Sequence, residues 1–183
     1  SQAETMPVHL GAMPFSVAAA LERFPAETLE PGDSILLNDP YRGGAHLPDL
    51  TLVTPVFAGG DLVAFAANRA HHADVGGSTA GSVAADSTEI YQEGLRIPPV
   101  KLRTGGEEND AVVDLLLANV RTPKERRGDL RAQEAANETG RRRIRELVTR
   151  YGLSTVRAAI AEIEDYSERR MRAEIRALPD GEY

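Results

Sequence analysis

The chain has 183 residues, 42% of them hydrophobic and 27% charged, a composition suited to folding rather than to disorder. It has no cysteine, which excludes disulfides, thiolate metal sites, iron–sulfur clusters and cysteine nucleophiles. The net charge of −7 is uneven: residues 1–100 hold four Arg and no Lys against twelve acids, whereas residues 101–183 hold seventeen basic and sixteen acidic residues. An acidic first half repels nucleic-acid phosphates and is congenial to cations.

In chain order, Ala12–Phe24 reads as a helix, apolar at Phe15, Val17, Ala18 and Leu21 and stopped before Pro25. Pro31-Gly32-Asp33 is a turn and Ser34–Leu37 a brief apolar strand. Leu50–Phe57 and Leu62–Ala67 are strands joined by Ala58-Gly59-Gly60-Asp61, a hairpin connection. Val75–Ala85 is a Gly/Ser/Thr loop too long for a simple connector. Glu107–Asn119 has the apolar content of a largely buried helix. Thr122-Pro123-Lys124-Glu125 has the form of a capping box, opening a helix that runs to Tyr151 and ends at Gly152. Ser154 caps a third helix with Val156, Ile160, Ile163, Met171, Ile175 and Leu178 near helical spacing, stopped at Pro179-Asp180-Gly181.

The expected fold is α+β, with a small mixed or antiparallel sheet up to about Pro99 and a helical half after it. The corresponding segments are 1–100, carrying the chemistry, and 101–183, helical. Both ends break off in mid-pattern, as expected of a piece of one larger subunit. No secretory leader pattern opens Ser1–Leu10, and no apolar run reaches the roughly 18 residues of a membrane span, so a cytoplasmic protein is expected.

Chemistry concentrates in Asn38–Asp49 and Asn68–Gly77, which hold three of the four histidines together with Asp39, Asp49 and Asp74. The hairpin between them returns the chain, so His46 and Asp49 can meet His71 or His72. Two imidazoles and a carboxylate suit a divalent Mn, Fe, Co, Ni or Zn ion with positions left for water or substrate. Spacing alone leaves a second reading open, in which His-x-x-Asp is surface polarity and the His-His pair a strand edge with one ring packed. Glu89 and Glu93, four apart, can reach one pocket if that stretch is helical, as general acid or base. Asp74, beside the histidines, is the stronger catalytic candidate, and the alternative for the glutamates is capping or solvation. Arg141-Arg142-Arg143-Ile144-Arg145 has no interleaved aromatics for base stacking, and a solvated or subunit-contacting helix face is preferred to nucleic acid.

Asn38–Asp49 with Leu50-Thr51-Leu52-Val53, Arg69–Gly77, and Asp86-Ser87-Thr88-Glu89-Ile90-Tyr91-Gln92-Glu93-Gly94-Leu95-Arg96-Ile97-Pro98-Pro99-Val100-Lys101 together resemble the hydantoinase B/oxoprolinase family. The likeness continues through Leu115–Arg121 and Arg127–Gln133 to Leu178–Tyr183, nearly the whole chain. That family includes the B subunits of N-methylhydantoinases, the matching half of 5-oxoprolinase, and large subunits of acetone and acetophenone carboxylases. Its members are several hundred residues long, which implies a missing N-terminal stretch and a large missing C-terminal part.

The resemblance implies a metal held at His46, Asp49 and His71, with His72 adjacent and the one-residue choice open, and with Asp74 and Asp39 orienting ligands or bound water. Manganese or zinc is favoured. It implies that ATP is used by an A-type partner subunit or domain, consistent with the lack of a Gly-x-x-x-x-Gly-Lys-Ser/Thr loop here. The implied activity is ATP-dependent hydrolysis of small cyclic amides, hydantoin- or 5-oxoproline-like, within a hetero-oligomer. Its alternatives are a ketone carboxylase subunit and a catalytically silent assembly module.

Overall fold

The computed structural model describes residues 7–179 and 181; residues 1–6, Asp180 of the expected terminal turn, Glu182 and Tyr183 lie outside it. Helix α1 (Pro7–Arg23) begins five residues before the expected Ala12 and runs through Pro14. A proline is tolerated in the first turn, where its missing N–H has no partner to lose, so Pro7 suits the opening position.

Strands β1 (Ser34–Leu37), β2 (Asp49–Ala58), β3 (Asp61–His71), β4 (Val100–Thr104) and β5 (Glu107–Glu108) form one sheet in the order β3-β2-β1-β4-β5. Every pairing is antiparallel, so the α+β expectation holds and the sheet is not mixed. Gly59 (φ 63°) and Gly60 (φ 96°) supply the two left-handed residues of the β2–β3 turn.

The sheet does not stop at Pro99, and Glu107–Glu108 belong to a strand rather than to a helix. Gly105 and Gly106 turn β4 back on β5, and Arg103 reaches Glu108 on the returning strand (3.4 Å) as well as Glu134. Helix α2 (Asp110–Ala118) therefore starts three residues late, capped by the Asn109 side chain, which accepts from the Val112 N–H. Helix α3 (Pro123–Tyr151) has the expected bounds. Helix α4 (Leu153–Arg176) has Gly152 at its cap position rather than Ser154, which lies inside the helix.

The chain forms two compact units, Ser1–Arg143 and Ile144–Tyr183. The second comprises the last turns of α3 and all of α4, whose Ile160, Ile163, Met171 and Ile175 are exposed in this chain. Among the described residues no helix is long and apolar enough to cross a membrane.

In the first unit both faces of the sheet are covered. Ile35, Leu37 and Val53 pack with Ala20, Val17 and Leu21 of α1. Leu36, Leu50, Leu52 and Leu102 pack on the opposite face with Val113 and Leu116 of α2 and Leu130 of α3. This is why Ser34–Leu37 is apolar without alternation: both sides of β1 are interior. Each fully buried Leu or Ile contributes about 1.5–3 kcal/mol.

Two irregular segments are held by polar groups rather than by secondary structure. The segment between β1 and β2 hangs on Asn38, fully buried, which donates to the Leu47 and Leu95 carbonyls (2.7 and 2.9 Å) and accepts from the Ile97 N–H (2.6 Å). Gly44 crosses Asn38 so closely that a Cβ would lie 2.1 Å from the Asn38 carbonyl oxygen. The long loop after β3 is organised by Asp74, which accepts from the backbone N–H of Gly76, Gly81 and Arg121 and from the Arg121 guanidinium (2.7 Å). Arg121 also donates to the carbonyls of Gly76, Gly77 and Thr79. Burial pushes the Asp74 carboxyl upward, but the Arg121 guanidinium and the three N–H donors outweigh it and hold the pKa at about 2.

Two outcomes follow from these ties. Gly44→Ala sets a methyl against an immovable carbonyl and is expected to lower stability by at least about 1–3 kcal/mol, read as a lower melting temperature. Because the folded pKa of Asp74 lies below its ordinary value, its stabilisation is complete above about pH 4 and is lost as the pH falls toward 2. It amounts to at most about 2–3 kcal/mol, less after solvent screening at half-exposed Arg121. Melting temperatures from pH 6 down to 2 should fall less steeply in Asp74→Asn than in the parent; equal slopes would show that the carboxylate does not anchor the loop.

Candidate metal centre

The β2–β3 hairpin fixes which side chains can meet. In its register Asp49 lies opposite His71, and two rungs inward Thr51 lies opposite Arg69. Side chains alternate along a strand, so these four share the α1 face while Asn68 and Ala70 turn to the α3 face. His46 arrives from the preceding turn, closed by the Asp49 N–H donating to the His46 carbonyl (2.8 Å). The Pro48 carbonyl accepts from the His72 N–H (2.8 Å), clamping the turn to the end of β3.

Side-chain atoms of His46, Asp49 and His71 lie within 4.8 Å of one another. His71 Nδ1 is 2.8 Å from Asp49 Oδ1, and the two imidazole rings stack with centroids 5.6 Å apart and an interplanar angle of 24°. Asp49 is buried, His46 half-buried and His71 exposed. Two donors bound at about 2.1 Å to one ion can be up to about 4.2 Å apart, so the three side chains lie near the spacing of one coordination sphere. The donor set, two nitrogens and one oxygen with no sulfur, fits a borderline divalent ion.

His72 is not in this group. One residue beyond His71, it turns to the opposite side and is buried, with Nε2 2.9 Å from Gln133 Oε1 and Nδ1 without a partner among the described residues. Burial lowers its pKa despite the bond to Gln133, favouring the neutral ring. Asp74 has its carboxylate committed to Arg121 and the loop N–H groups. Glu89 caps the short 3-10 turn Ile90–Gln92, its side chain accepting from the Gln92 N–H, and Glu93 is the C-cap residue of the same turn. That stretch is not an α-helix, so the four-residue spacing does not put both carboxylates on one helical face. Asp39 accepts from the Tyr41 N–H (3.0 Å) and lies 3.6 Å from Arg96, which engages its carboxylate with the turn after β1 and the approach to β4.

Several residues that build the site carried no obvious signal in the sequence. Arg69 donates to Thr51 Oγ1 (2.8 Å) and Ser16 Oγ (2.9 Å) and lies 3.3 Å from His9 Nδ1, tying β3 to α1. Burial lowers its pKa and the nearby Asp49 charge opposes that, so the guanidinium and Asp49 are electrostatic neighbours. On the other face Gln133 donates to the Leu50 carbonyl and Asn68 Oδ1, and Asn137 donates to the Leu52 carbonyl and Thr54 Oγ1. Gln133 and Asn137 are i and i+4 on α3, a spacing that could have flagged them as one buried polar face. A cleft of about 320 Å³ opens at the edge of β3, lined by Arg69, His71 and His72 on the strand side and by Asp129, Ala132 and Gln133 on α3.

The profile of the family described as hydantoinase B/oxoprolinase matches residues 1–183. The chain is 42% identical to the beta subunit of the caprolactamase of Pseudomonas jessenii, covering all of this chain and 31% of that protein. It is 44% identical to the B subunit of a putative D-/L-hydantoinase from a Pseudomonas strain, over 86% of this chain and 27% of the relative. The crystal structure of the ATP-dependent caprolactamase from Pseudomonas jessenii superposes with a TM-score of 0.88 over 96% of this chain and 30% of that chain. A nucleotide-free acetone carboxylase superposes with a TM-score of 0.70 at 22% identity, covering 79% of this chain and 19% of that one, a likeness of fold alone. The chain thus spans less than a third of the length of these relatives. A match over the entire sequence, joined to identities above 40%, identifies it as a member of the hydantoinase B/oxoprolinase family.

Proposed function

We propose that the chain is the metal-binding portion of a larger B-type subunit in an ATP-dependent hydrolase of small cyclic amides. The observation that carries this reading is the approach of His46, Asp49 and His71 at the open end of the β2–β3 hairpin, with His71 also lining the cleft beside β3. The names of the relatives support the reaction class, since a caprolactamase opens a lactam and the matching crystal structure is described as ATP-dependent. Hydantoin- and 5-oxoproline-like rings belong to the same class of cyclic amide. The acetone carboxylase likeness is one of fold, so hydrolysis is preferred to ketone carboxylation.

A divalent ion on these three side chains, manganese or zinc, would polarise an amide carbonyl or acidify a bound water. The protein's own part is positional. Before an ion is bound, the His71 Nδ1–H donates to Asp49 and holds that ring beside it, and Pro48 stiffens the turn between His46 and Asp49. Arg69, held by Thr51 and Ser16, supplies positive charge beside Asp49 at the cleft wall. ATP is assigned to an A-type partner, in keeping with a hetero-oligomer of two subunit types.

Elemental analysis of the untreated chain should find close to one divalent ion per molecule. His46→Ala, Asp49→Asn and His71→Ala should each weaken retention at least about tenfold, whereas Glu89→Gln should retain the parent content. Metal-free protein with an unchanged melting temperature would sink the metal reading. In the full-length subunit joined to its partner, ATP and a lactam or hydantoin should give ring-opened product, and bicarbonate with a ketone none; the reverse pattern would mean a carboxylase.

A further inference from the structure

A second recess in the first unit lies between the C-terminal end of α1, the turn after β1 and the approach to β4. It has a volume of about 450 Å³ and is lined by Arg23, Arg42, Arg96 and Asp39, with Pro98, Pro99 and Val100 as its apolar wall. Residues 1–100 contain four basic residues in all, and three of them meet here. In a segment carrying twelve acids, that concentration is not a general basic surface.

The three guanidiniums are also underused. Arg42 makes no side-chain hydrogen bond or ion pair among the described residues. Arg23 stacks over the Phe24 ring at 5.4 Å, and Arg96 over Tyr91 at 5.5 Å, contacts that orient the planar groups and leave their N–H edges available. By contrast, Arg69, Arg103 and Arg121 are each consumed by several hydrogen bonds within the fold. The one acid, Asp39, is buried while the arginines are exposed. One of its oxygens accepts from the Tyr41 N–H and the other faces Arg96 at 3.6 Å, so it backs Arg96 from behind.

Three cations and one buried anion leave the recess with a local charge of +2. Guanidinium forks match the oxygens of phosphate and bind them in pairs. The geometry points to a binding site for a phosphate dianion, free or as the terminal group of a small phosphate ester, in which Arg23, Arg42 and Arg96 supply the donors. The site is independent of the three metal-ligand candidates, and it stands whether or not the hydrolase reading does.

The test is calorimetric titration of the chain, stripped of metal with a chelator, with inorganic phosphate and with methyl phosphate at low salt. Saturable one-to-one binding with a Kd below about 1 mM is expected. The Arg23→Gln/Arg42→Gln double variant should bind at least about tenfold more weakly, and His46→Ala should bind as the parent does. Methyl phosphate binding as well as inorganic phosphate assigns an ester; inorganic phosphate alone assigns the free ion. On the parent protein, arginine Nε–H resonances of all three residues should shift together along one saturation curve, a readout that needs no variant to fold. The absence of saturable binding up to about 10 mM, or a double variant that binds like the parent, overturns the site. Loss of metal in His46→Ala with phosphate binding intact separates the two sites.

Discussion

The pairing of Asp49 with His71 across β2 and β3 is the constraint on which the rest of the molecule turns. A strand has a two-residue period, so moving this hairpin by one residue would exchange every side chain between the α1 and α3 faces. His72 would then stand opposite Asp49, and His71 would be driven under α3. The register is secured at both ends, by Gly59-Gly60 at the turn and by the His72 N–H on the Pro48 carbonyl at the open end. The apolar pattern secures it between them, because Val53 must face α1 while Leu50 and Leu52 face α2 and α3.

Polar groups inside the first unit extend that control into regions without regular structure. Asn38, Gln133 and Asn137 are all buried, and each satisfies carbonyl groups of neighbouring chain segments. A buried carbonyl with no donor costs roughly 1–3 kcal/mol, so such amides discriminate strongly between the native path and near alternatives. Asn38 joins the turn before β2 to the segment before β4, so the stretch on which His46 sits is tied to Leu95 and Ile97, far along the chain. Asp74 and Arg121 do the same for the long glycine-rich loop.

Much of this was legible in the residues. The hairpin, the brief β1 and the length of α3 follow from local patterns, and the returning chain brings His46 and Asp49 toward His71 or His72 without choosing between them. What the sequence hid was mostly tertiary. The expected sheet ends near Pro99, but Gly105-Gly106 folds Val100–Thr104 onto Glu107–Glu108 as two further strands. The choice between His71 and His72 depends on strand parity, which a stretch of two adjacent histidines cannot declare by itself. Glu89 and Glu93 could share one face only on a helix, and a single 3-10 turn puts them at its two ends instead. Gln133 and Asn137 were lost among the charges of α3, since a long polar helix does not announce which of its faces is interior.

Among the described residues, strand β3 has one neighbour in the sheet, β2, and its other side is an edge eleven residues long. Unpaired N–H and C=O groups along such an edge form a template for a further strand. That template and the exposed apolar stripe of α4 are two adhesive surfaces of the described residues. Both surfaces favour self-association at high concentration, which dilution would counter.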